Sequence, residues 1–359
     1  MTRIVYGVSG EGSGHSSRAR EMLEHLLSLG HDVRVVSYDR GVRNLSPDFD
    51  VHAITGLHIV SVNNKLSATA TVARNVRACR RLYRSWRSVC GLMEAFAPHA
   101  VITDFEPMTA YAARRSGVPL VTIDNQHRMR FMSYPPVPAA RWDGFVTRSV
   151  IRAMVPQPAA SLISTFYRGE VTDPRAELYS PILRQVVRDL TPTTGDHVLV
   201  YATQAFDGLV DVLRTCAGQV FRVYGFDRDD REGHIVFRPF SVDGFLADLA
   251  SSRGVVATAG FTLMTEALHL GKPMLALPMS GQYEQRLNAH LLETMGLGAM
   301  APLVTRQALE QFVAGINRYT AALRAYPRDD GGPIKARLAA LLADNARALG
   351  PAPSSAGGV

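Results

Sequence analysis

The sequence of 359 residues is long enough for two domains with complete cores, its 47% hydrophobic content is typical of a globular protein, and no apolar run approaches the ~18 residues of a membrane span. Its net charge of +7 favours anionic partners and leaves nucleic acid, an anionic membrane surface and diphosphate ligands open. The three cysteines are widely spaced, which excludes a disulfide framework. The N-terminus lacks the apolar core of a signal peptide, which predicts a cytoplasmic location.

The chain opens with the pattern of strand, glycine-rich loop, helix and strand that begins a doubly wound α/β domain. Gly10, Gly12 and Gly14 allow the backbone to approach a ligand closely. His15 stands where a phosphate-binding P-loop would need lysine, so that motif is excluded. A dinucleotide-binding fingerprint stays an alternative because Asp39 stands where a ribose-binding acid would, although the third glycine is missing. The loop residues expected near the acceptor are Gly12, Ser13 and Gly14.

A histidine and a carboxylate are expected at the same edge of the first sheet. The strand HAVITD ends at Asp104, and ligands of open α/β sheets bind beyond the carboxyl ends of the strands, where His15 also lies. A carboxylate that accepts one imidazole N–H fixes the tautomer, which predicts His15 as a general base. A helix-start histidine without chemistry is the alternative. Asp124, Asn125 and His127 end the next strand and are second candidates for acceptor contact or for orienting His15.

A long arginine-rich helix is predicted from about Leu66 to Phe96. Its apolar side chains recur at 100° per residue and therefore share one stripe. Two interpretations stay open for the basic surface from Arg74 to Arg87: a solvated face, or contact with an anionic membrane or lipid-phosphate acceptor. The stripe comprises Val72, Val76, Cys79, Tyr83, Trp86 and Cys90, and the arginines are Arg74, Arg77, Arg80, Arg81, Arg84 and Arg87.

The second half of the chain repeats the alternation of strands and helices. The sequence therefore predicts an α/β fold of two Rossmann-like, doubly wound domains that face each other across a cleft. The first domain is placed at residues 1–180 and the second at 196–330. The interval 171–196, rich in Thr, Pro and Asp around one helical piece, is the best linker, and residues 350–359 are expected to form a disordered tail.

The stretch from Gly254 to Met300 is the most tightly specified part of the sequence. A buried strand is followed by a turn at Gly260, a helix with Thr262 as its expected N-cap, a second buried strand and another helix. The free N–H groups of a helix N-terminus favour an anion such as a diphosphate. Glu266, one turn into the helix, suits ribose hydroxyls, which are neutral donors. An ordinary βαβ unit with a polar rim is the alternative.

The order AGFTLMTEAL, GKPMLALP and EQRLNAHLLETMGLG resembles the donor-nucleotide signature of GT-B glycosyltransferases of the family 1 and family 28 kind. This resemblance implies a turn that holds the diphosphate, a helix Glu that holds the ribose, and an acid-Gln pair that holds the sugar hydroxyls. It also implies that a last helix, 333–349, returns to the first domain. Many relatives carry a His or a second Gly beside the position of Gly260, whereas this sequence has Ala259 and Phe261 there. The implied donor-binding residues are Gly260, Phe261, Thr262, Glu266, Phe240, Glu284, Gln285 and Asn288.

The resemblance implies an inverting, metal-independent transfer of a sugar from a nucleoside-diphosphate donor, with UDP expected, to an unidentified acceptor hydroxyl. Family 1 enzymes use a His and an Asp for this step, which the resemblance carries to His15 and Asp104. No cofactor and no nucleic-acid partner are expected, and the acidic triplets at 48–50 and 227–229 are weak metal signals in polar turns. Two rivals stay open: a nucleotide-sugar 2-epimerase of the same fold, and a non-catalytic nucleotide-sugar-binding protein.

Overall fold

The computed structural model describes residues 1–58, 61–62, 65–66, 68–202 and 208–348, and the tail predicted at 350–359 lies outside these residues. The first half of the chain builds one seven-stranded sheet. Its elements in chain order are β1 (Arg3–Val8), α1 (Ser13–Ser28), β2 (Asp32–Ser37), α2 (Asp39–Leu45), β3 (Val51–Ala53), β4 (Ser61–Val62), β5 (Lys65–Leu66), α3 (Ala68–Arg77), α4 (Cys79–Phe96), β6 (Ala100–Asp104), α5 (Pro107–Ser116), β7 (Leu120–Asp124), α6 (Arg128–Phe131), α7 (Arg141–Met154), β8 (Ala160–Ser164), β9 (Ala176–Tyr179) and α8 (Gln185–Arg188).

The second half builds another seven-stranded sheet, and the chain then returns to the first. Its elements are β10 (His197–Tyr201), α9 (Leu209–Arg214), β11 (Val220–Tyr224), β12 (Arg231–Glu232), β13 (Ile235–Phe237), α10 (Val242–Ser251), β14 (Gly254–Thr258), α11 (Phe261–His269), β15 (Met274–Leu277), α12 (Tyr283–Thr294), β16 (Gly298–Met300), α13 (Arg306–Leu323) and α14 (Gly332–Ala348).

The first sheet has the strand order β3-β2-β1-β6-β7-β8-β9, with every neighbouring pair parallel. Apolar clusters pack on both of its faces, so β1, β6, β7 and β8 are buried almost throughout and do not alternate with polar positions. The strand order reverses between β1 and β6. Loops that leave these two strands at their carboxyl ends diverge and leave a crevice there, which is where ligands bind in such sheets.

The second sheet has the order β12-β13-β11-β10-β14-β15-β16 and is parallel except for the edge pair of β12 and β13. Its order reverses between β10 and β14, so α11, which follows β14, begins at a second crevice. Both sheets are thus doubly wound, and the predicted α/β fold of two Rossmann-like halves is confirmed.

The two halves share buried apolar surface. One core cluster joins Phe166 of the first half to Phe261 and Tyr283 of the second. The last helix, α14, packs Ile334 and Leu338 against the first sheet together with side chains of β1 and α1. These buried apolar contacts exclude water and hold the two halves together. The crevices of the two sheets therefore face each other across a narrow cleft.

The arginine-rich segment predicted as a single helix from Leu66 to Phe96 forms two helices, so the predicted continuity was wrong. α3 and α4 meet at the buried Ala78, and α4 packs inward through Ser85, Val89 and Met93. The predicted apolar stripe is not the inward face, because Val76 and Tyr83 are exposed. All six predicted arginines are exposed too. No helix in the described ranges is both long and apolar enough to cross a membrane.

The interval 171–196 is only partly a linker. β9 lies inside it and pairs with β8 as the edge strand of the first sheet, while the predicted helical piece shortens to α8. After α8 the chain bonds to the second half, where the N–H groups of Thr193 and Gly195 donate to carbonyls at the end of α10. The connection between the halves is therefore short and anchored at both ends.

Candidate active site

A histidine, a carboxylate and an arginine meet in the crevice between β1 and β6. Gly12 has φ +85° and ψ 170°, a conformation that only glycine adopts readily, and it turns the chain into α1 so that His15 is the third helical residue. His15 Nδ1 lies 2.7 Å from Oδ1 of Asp104, which is fully buried. Arg18, one helical turn further, binds the same carboxylate from Nε at 2.8 Å and from Nη2 at 2.6 Å.

The backbone after Asp104 is held in an uncommon conformation. Phe105 has φ +57°, which costs free energy for a bulky side chain. Glu106 then caps α5, with its carboxylate accepting the N–H groups of Met108 and Thr109 at 2.9 and 2.7 Å. Burial raises the pKa of Glu106, and these hydrogen bonds oppose that rise. The cap fixes the turn that places Asp104 beneath His15.

Arg18 was missed by the sequence reasoning, although its position three residues after His15 on one helix face was a usable signal. Burial lowers the pKa of Arg18, but the ion pair and hydrogen bonds with Asp104 outweigh it and the pKa rises. The Asp104 charge is therefore shared between an arginine and a histidine. Asp104 can still orient the imidazole through Nδ1, while Nε2 has no hydrogen-bond partner in the described part of the chain.

Asp124 and His127 form a second pair at the end of β7. Asp124 accepts the backbone N–H of His127 at 2.8 Å and contacts its Nδ1 at 2.7 Å, with both side chains fully buried. Burial alone would raise the pKa of Asp124, but His127 and the hydrogen bonds it donates lower it overall. The predicted role of Asp124 and His127 in orienting His15 is wrong in this geometry. Asn125 does reach that group, because it accepts from Arg18 at 3.1 Å.

The turn before α11 faces the loop before α1. The N-cap of α11 is Gly260, and Thr262 lies inside the helix without a capping bond, so its predicted N-cap role was wrong. A Cβ atom added to Gly14 would lie 2.6 Å from the Thr262 hydroxyl oxygen, which shows how closely the two halves approach. A Cβ at Gly260 would meet nothing within 4 Å. The first N–H groups of α11 thus open onto space beside the His15 loop.

Glu266 is buried and paired with an arginine from the connection between the halves. Arg184 Nε lies 2.8 Å from Glu266 Oε1. Burial raises the pKa of Glu266, and Arg184 opposes the rise. Residues of both halves line a small crevice here, among them Gly14, Arg18, Arg184, Thr262 and Glu266.

The three predicted sugar-binding residues of α12 all have protein partners. Glu284 accepts from Asn125 of the first half at 2.6 Å, so it lies on the cleft between the halves. Gln285 is bonded to its own loop, where it accepts the Met279 N–H at 3.0 Å. Asn288 is fully buried and donates to the carbonyl of Ala259 at 2.8 Å, just before the turn. Of the three, Glu284 is best placed to reach a ligand in the cleft, and Asn288 positions the turn.

Phe240 is exposed at the end of the second sheet, and an aromatic cluster surrounds it. Its ring lies 6.3 Å from the ring of Tyr201 and 5.8 Å from that of Phe245. An exposed ring on a rigid aromatic support is suited to stacking on a flat heterocycle. Of the residues that the structure describes, no three His, Cys, Asp or Glu side chains are grouped to hold a metal ion.

Comparison with known proteins shows the family of the chain. Residues 2–317 match the family model described as Glycosyl transferase family 1. The chain belongs to this glycosyltransferase family. An uncharacterized glycosyltransferase of Methanosarcina mazei is 24% identical over 327 residues, which cover 83% of this chain and 85% of that protein.

Solved structures of glycosyltransferases share the fold. The calicheamicin glycosyltransferase CalG4 superposes with a TM-score of 0.68 at 15% identity and covers 98% of this chain and 100% of its own. LpCGTa, solved in complex with UDP, has a TM-score of 0.66 at 18% identity and covers 96% and 99%. This glycosyltransferase therefore has the GT-B fold, and it is a transferase enzyme. The epimerase and the non-catalytic binding protein lose their support as alternatives.

Proposed function

We propose that this glycosyltransferase moves a sugar from a UDP-sugar to an acceptor hydroxyl with inversion at the anomeric carbon and without a metal ion. The observation that carries the proposal is the contact of His15 Nδ1 with Asp104 beside the turn that begins α11. An imidazole held by a carboxylate at Nδ1 has Nε2 free to accept a proton. The structural neighbour with bound UDP supports the base and the nucleotide class of the donor.

In the proposed mechanism the acceptor oxygen attacks the anomeric carbon directly. The acceptor O–H proton passes to His15 Nε2, the new C–O bond forms, and the bond between the anomeric carbon and the diphosphate oxygen breaks with its electron pair on oxygen. The departing diphosphate lies at the N-terminus of α11, whose N–H groups stabilise its growing charge. Because protein groups supply this stabilisation, we expect turnover without a divalent ion.

The donor is proposed to bind across the second crevice. Phe240, supported by Tyr201, is placed to stack on the base. Glu266 is placed to bind ribose once Arg184 releases it, and Glu284 faces the cleft for the sugar hydroxyls. Since Gly14 and Thr262 nearly touch, donor entry requires the two halves to separate and then close again over the bound nucleotide.

We also propose peripheral contact with an anionic membrane on the acceptor-binding half, at the cytoplasmic face. Three helices supply the surface: α3 and α4 carry six exposed arginines beside one acid, Glu94, and α7 exposes an apolar face. Trp142 is 72% exposed and stacks on Phe145, which is exposed as well. Tyr111 of α5 links these helices, because α5 packs on α4 and the Tyr111 hydroxyl donates to a carbonyl of α7. Exposed aromatic rings flanked by arginines match the interface of an anionic bilayer.

The test of the transfer reaction uses the purified full chain, a panel of UDP-sugars and a panel of small and lipid-linked acceptors. Mass spectrometry should detect a product heavier by one sugar residue, and the NMR coupling at the anomeric proton should show inversion relative to the donor. Activity should persist in EDTA. A retained anomeric configuration contradicts the mechanism, and consumption of the UDP-sugar into an isomer without acceptor would revive the epimerase.

A further inference from the structure

Arg128 is a fully buried cation at the boundary between the two halves. It follows β7 as the first residue of α6, and its side chain has no exposed surface. Nη2 donates to Oδ1 of Asn288 in the second half. Nε and Nη1 are also buried, and neither has a hydrogen-bond partner among the described residues. A guanidinium that leaves two of its nitrogens unpaired in the protein interior is unusual and requires an explanation.

The charge of Arg128 is also without an ion pair in the described part of the chain. Its guanidinium carbon lies 5.7 Å from the ring centre of Phe166 and 5.2 Å from that of Phe261, which offers cation–π contact but no counter-charge. Burial lowers the pKa of Arg128, with Glu284 opposing, yet arginine remains charged at neutral pH. A buried cation without an ion-pair partner destabilises the folded protein, so we expect a site of this kind to bind an anion.

Arg18 provides the comparison within the same molecule. It is similarly buried, but Asp104 neutralises it through two hydrogen bonds. The two arginines therefore differ in that Arg18 bonds directly to a carboxylate, whereas Arg128 feels the charge of Glu284 without forming an ion pair among the described residues. Arg128 has an amide oxygen and two aromatic rings instead.

The position of Arg128 indicates which anion it serves. Phe261, whose ring the guanidinium contacts, is the first residue of α11. Asn288 connects Arg128 to the same turn, because its amide donates to the carbonyl of Ala259. Arg128 is thus connected to the turn that begins α11, and the N–H groups at the N-terminus of this helix also favour an anion. Gly260 leaves open space on the outer side of the same turn.

We propose that Arg128 binds the diphosphate of the donor nucleotide and stabilises the nucleoside-diphosphate leaving group. This inference rests on the proposed function. As the bond from the anomeric carbon to the diphosphate oxygen breaks, negative charge grows on that oxygen, and a pre-placed guanidinium together with the α11 N-terminus offsets it without a metal ion. The cation comes from the acceptor-binding half, so diphosphate binding pulls the two halves together. Donor binding and cleft closure are then one event.

The test compares Arg128→Met with the wild type, since methionine removes the charge and retains an unbranched apolar side chain. Affinities for UDP and for uridine are measured by calorimetry on the full chain. Arg130→Met is the matched control, because Arg130 lies on the same helix but bonds to Val155 of its own half. We expect Arg128→Met to weaken UDP binding tenfold to a hundredfold and to leave uridine binding unchanged, with Arg130→Met close to wild type.

Stability gives an independent readout. Because Arg128→Met removes an uncompensated buried charge, the melting temperature of the free protein should stay near that of the wild type or rise, while the stabilisation by UDP shrinks. If Arg128→Met does not fold, Arg128→Lys keeps the charge without the guanidinium geometry and should still bind UDP more weakly than the wild type relative to uridine.

Four outcomes separate the possibilities. Wild-type affinity for UDP in Arg128→Met overturns the inference, and so does an equal loss of UDP and uridine binding, which indicates a structural role. Retained UDP affinity with lost binding of an anionic acceptor overturns it too and would show that Arg128 binds the acceptor. A wild-type protein that binds neither UDP nor uridine instead contradicts the proposed function itself.

Discussion

His15 Nδ1 lies 2.7 Å from Asp104 Oδ1, although 89 positions separate the two residues in the chain. The reversal of strand order between β1 and β6 brings them together, because the loops at the carboxyl ends of these neighbouring strands share one crevice. Arg18 completes the arrangement by binding the same carboxylate. The pair is therefore a group of three, which changes what a mutation of each member should do.

Replacement of His15 by alanine should lower the transfer rate by roughly 10² to 10⁴, the usual contribution of a positioned general base. The melting temperature and UDP affinity should change little, because the hydrogen-bond contacts of His15 involve one ring nitrogen, Nδ1, at the partly accessible mouth of the cleft. The measurement is turnover at saturating donor, with calorimetry for UDP. Near-wild-type turnover would exclude His15 as the base and make His127, whose buried Nε2 has no partner among the described residues, the next candidate.

Asp104→Asn should slow turnover as well, and the two losses should not add in the double variant because the residues act as one unit. Unlike His15→Ala, this substitution also leaves the buried Arg18 guanidinium without its counter-charge. We therefore expect Asp104→Asn to reduce stability by about 3 to 5 kcal/mol, as measured by urea unfolding. Rates must be compared at a temperature where all three variants are folded. Losses that multiply independently contradict the dyad.

Most of the fold was predictable from local pattern, and the exceptions have physical reasons. Long apolar strands such as β1 and β6 stand out because helices cover both faces of a parallel sheet. β9, β12 and β16 have only two to four residues, too few to show a period. The break at Ala78 has no glycine or proline to mark it, so the arginine-rich segment looked like a single helix.

The candidate site was predictable only in part. His15, Asp104 and Gly260 follow strands, and the topology of a doubly wound sheet places such positions at one edge. The arginines were not predictable in this way, because Arg128 and Arg184 bind residues more than 80 positions away, and no local spacing records such a partner. Positive charge was predicted at the surface of the protein, whereas three arginines of the cleft are wholly or largely buried.

Glu266→Ala should weaken UDP binding by ~1.5 to 3 kcal/mol, the range for hydrogen bonds to a charged group. The expected reason is loss of the ribose contact, which in the free protein is replaced by the pair with Arg184. Calorimetric titration with UDP measures the change.

Arg184→Met is the matched control for Glu266. It breaks the same ion pair but leaves the carboxylate, so UDP affinity should be retained or improved once Arg184 no longer competes with ribose. Should both variants lose stability equally while UDP affinity stays at the wild-type value, Glu266 serves only to anchor the connection between the halves.

Membrane contact should depend on both charge and aromatic side chains. The full chain should sediment with vesicles that contain anionic phosphatidylglycerol and not with phosphatidylcholine alone, and raised salt should release it, since each arginine near the surface contributes ~1 kcal/mol. Trp142→Ser with Phe145→Ser should reduce sedimentation. Leu303→Ser is the control, because Leu303 is an exposed apolar residue of the other half. Equal recovery with neutral and anionic vesicles would leave the arginines as a solvated face.

The stability of the second half should rise with pH between about 8 and 10.5 because of Lys272. This lysine is 4% exposed, and its ammonium group donates to the carbonyls of Thr193 and Ser252, at 2.8 Å for the latter, where the connection joins the second sheet. Burial lowers the pKa of Lys272 to about 8 from its usual 10.5. Above pH 8 the unfolded chain therefore binds more protons than the folded one, so folding gains stability with pH until the unfolded lysine also loses its proton.

Lys272→Met isolates this contribution, because all other titrating groups are common to the variant and the wild type. Urea unfolding at pH 7, 8, 9 and 10 should give a free-energy difference that is constant below pH 8. Above pH 8 it should shift in favour of the wild type by at most about 1.4 kcal/mol per pH unit, the limit for one proton. Parallel pH profiles for the two proteins would show that Lys272 titrates alike in the folded and unfolded chains. The hydrogen bonds of Lys272 to the two carbonyls would then stabilise its ammonium form in the folded protein as well as hydration does in the unfolded chain.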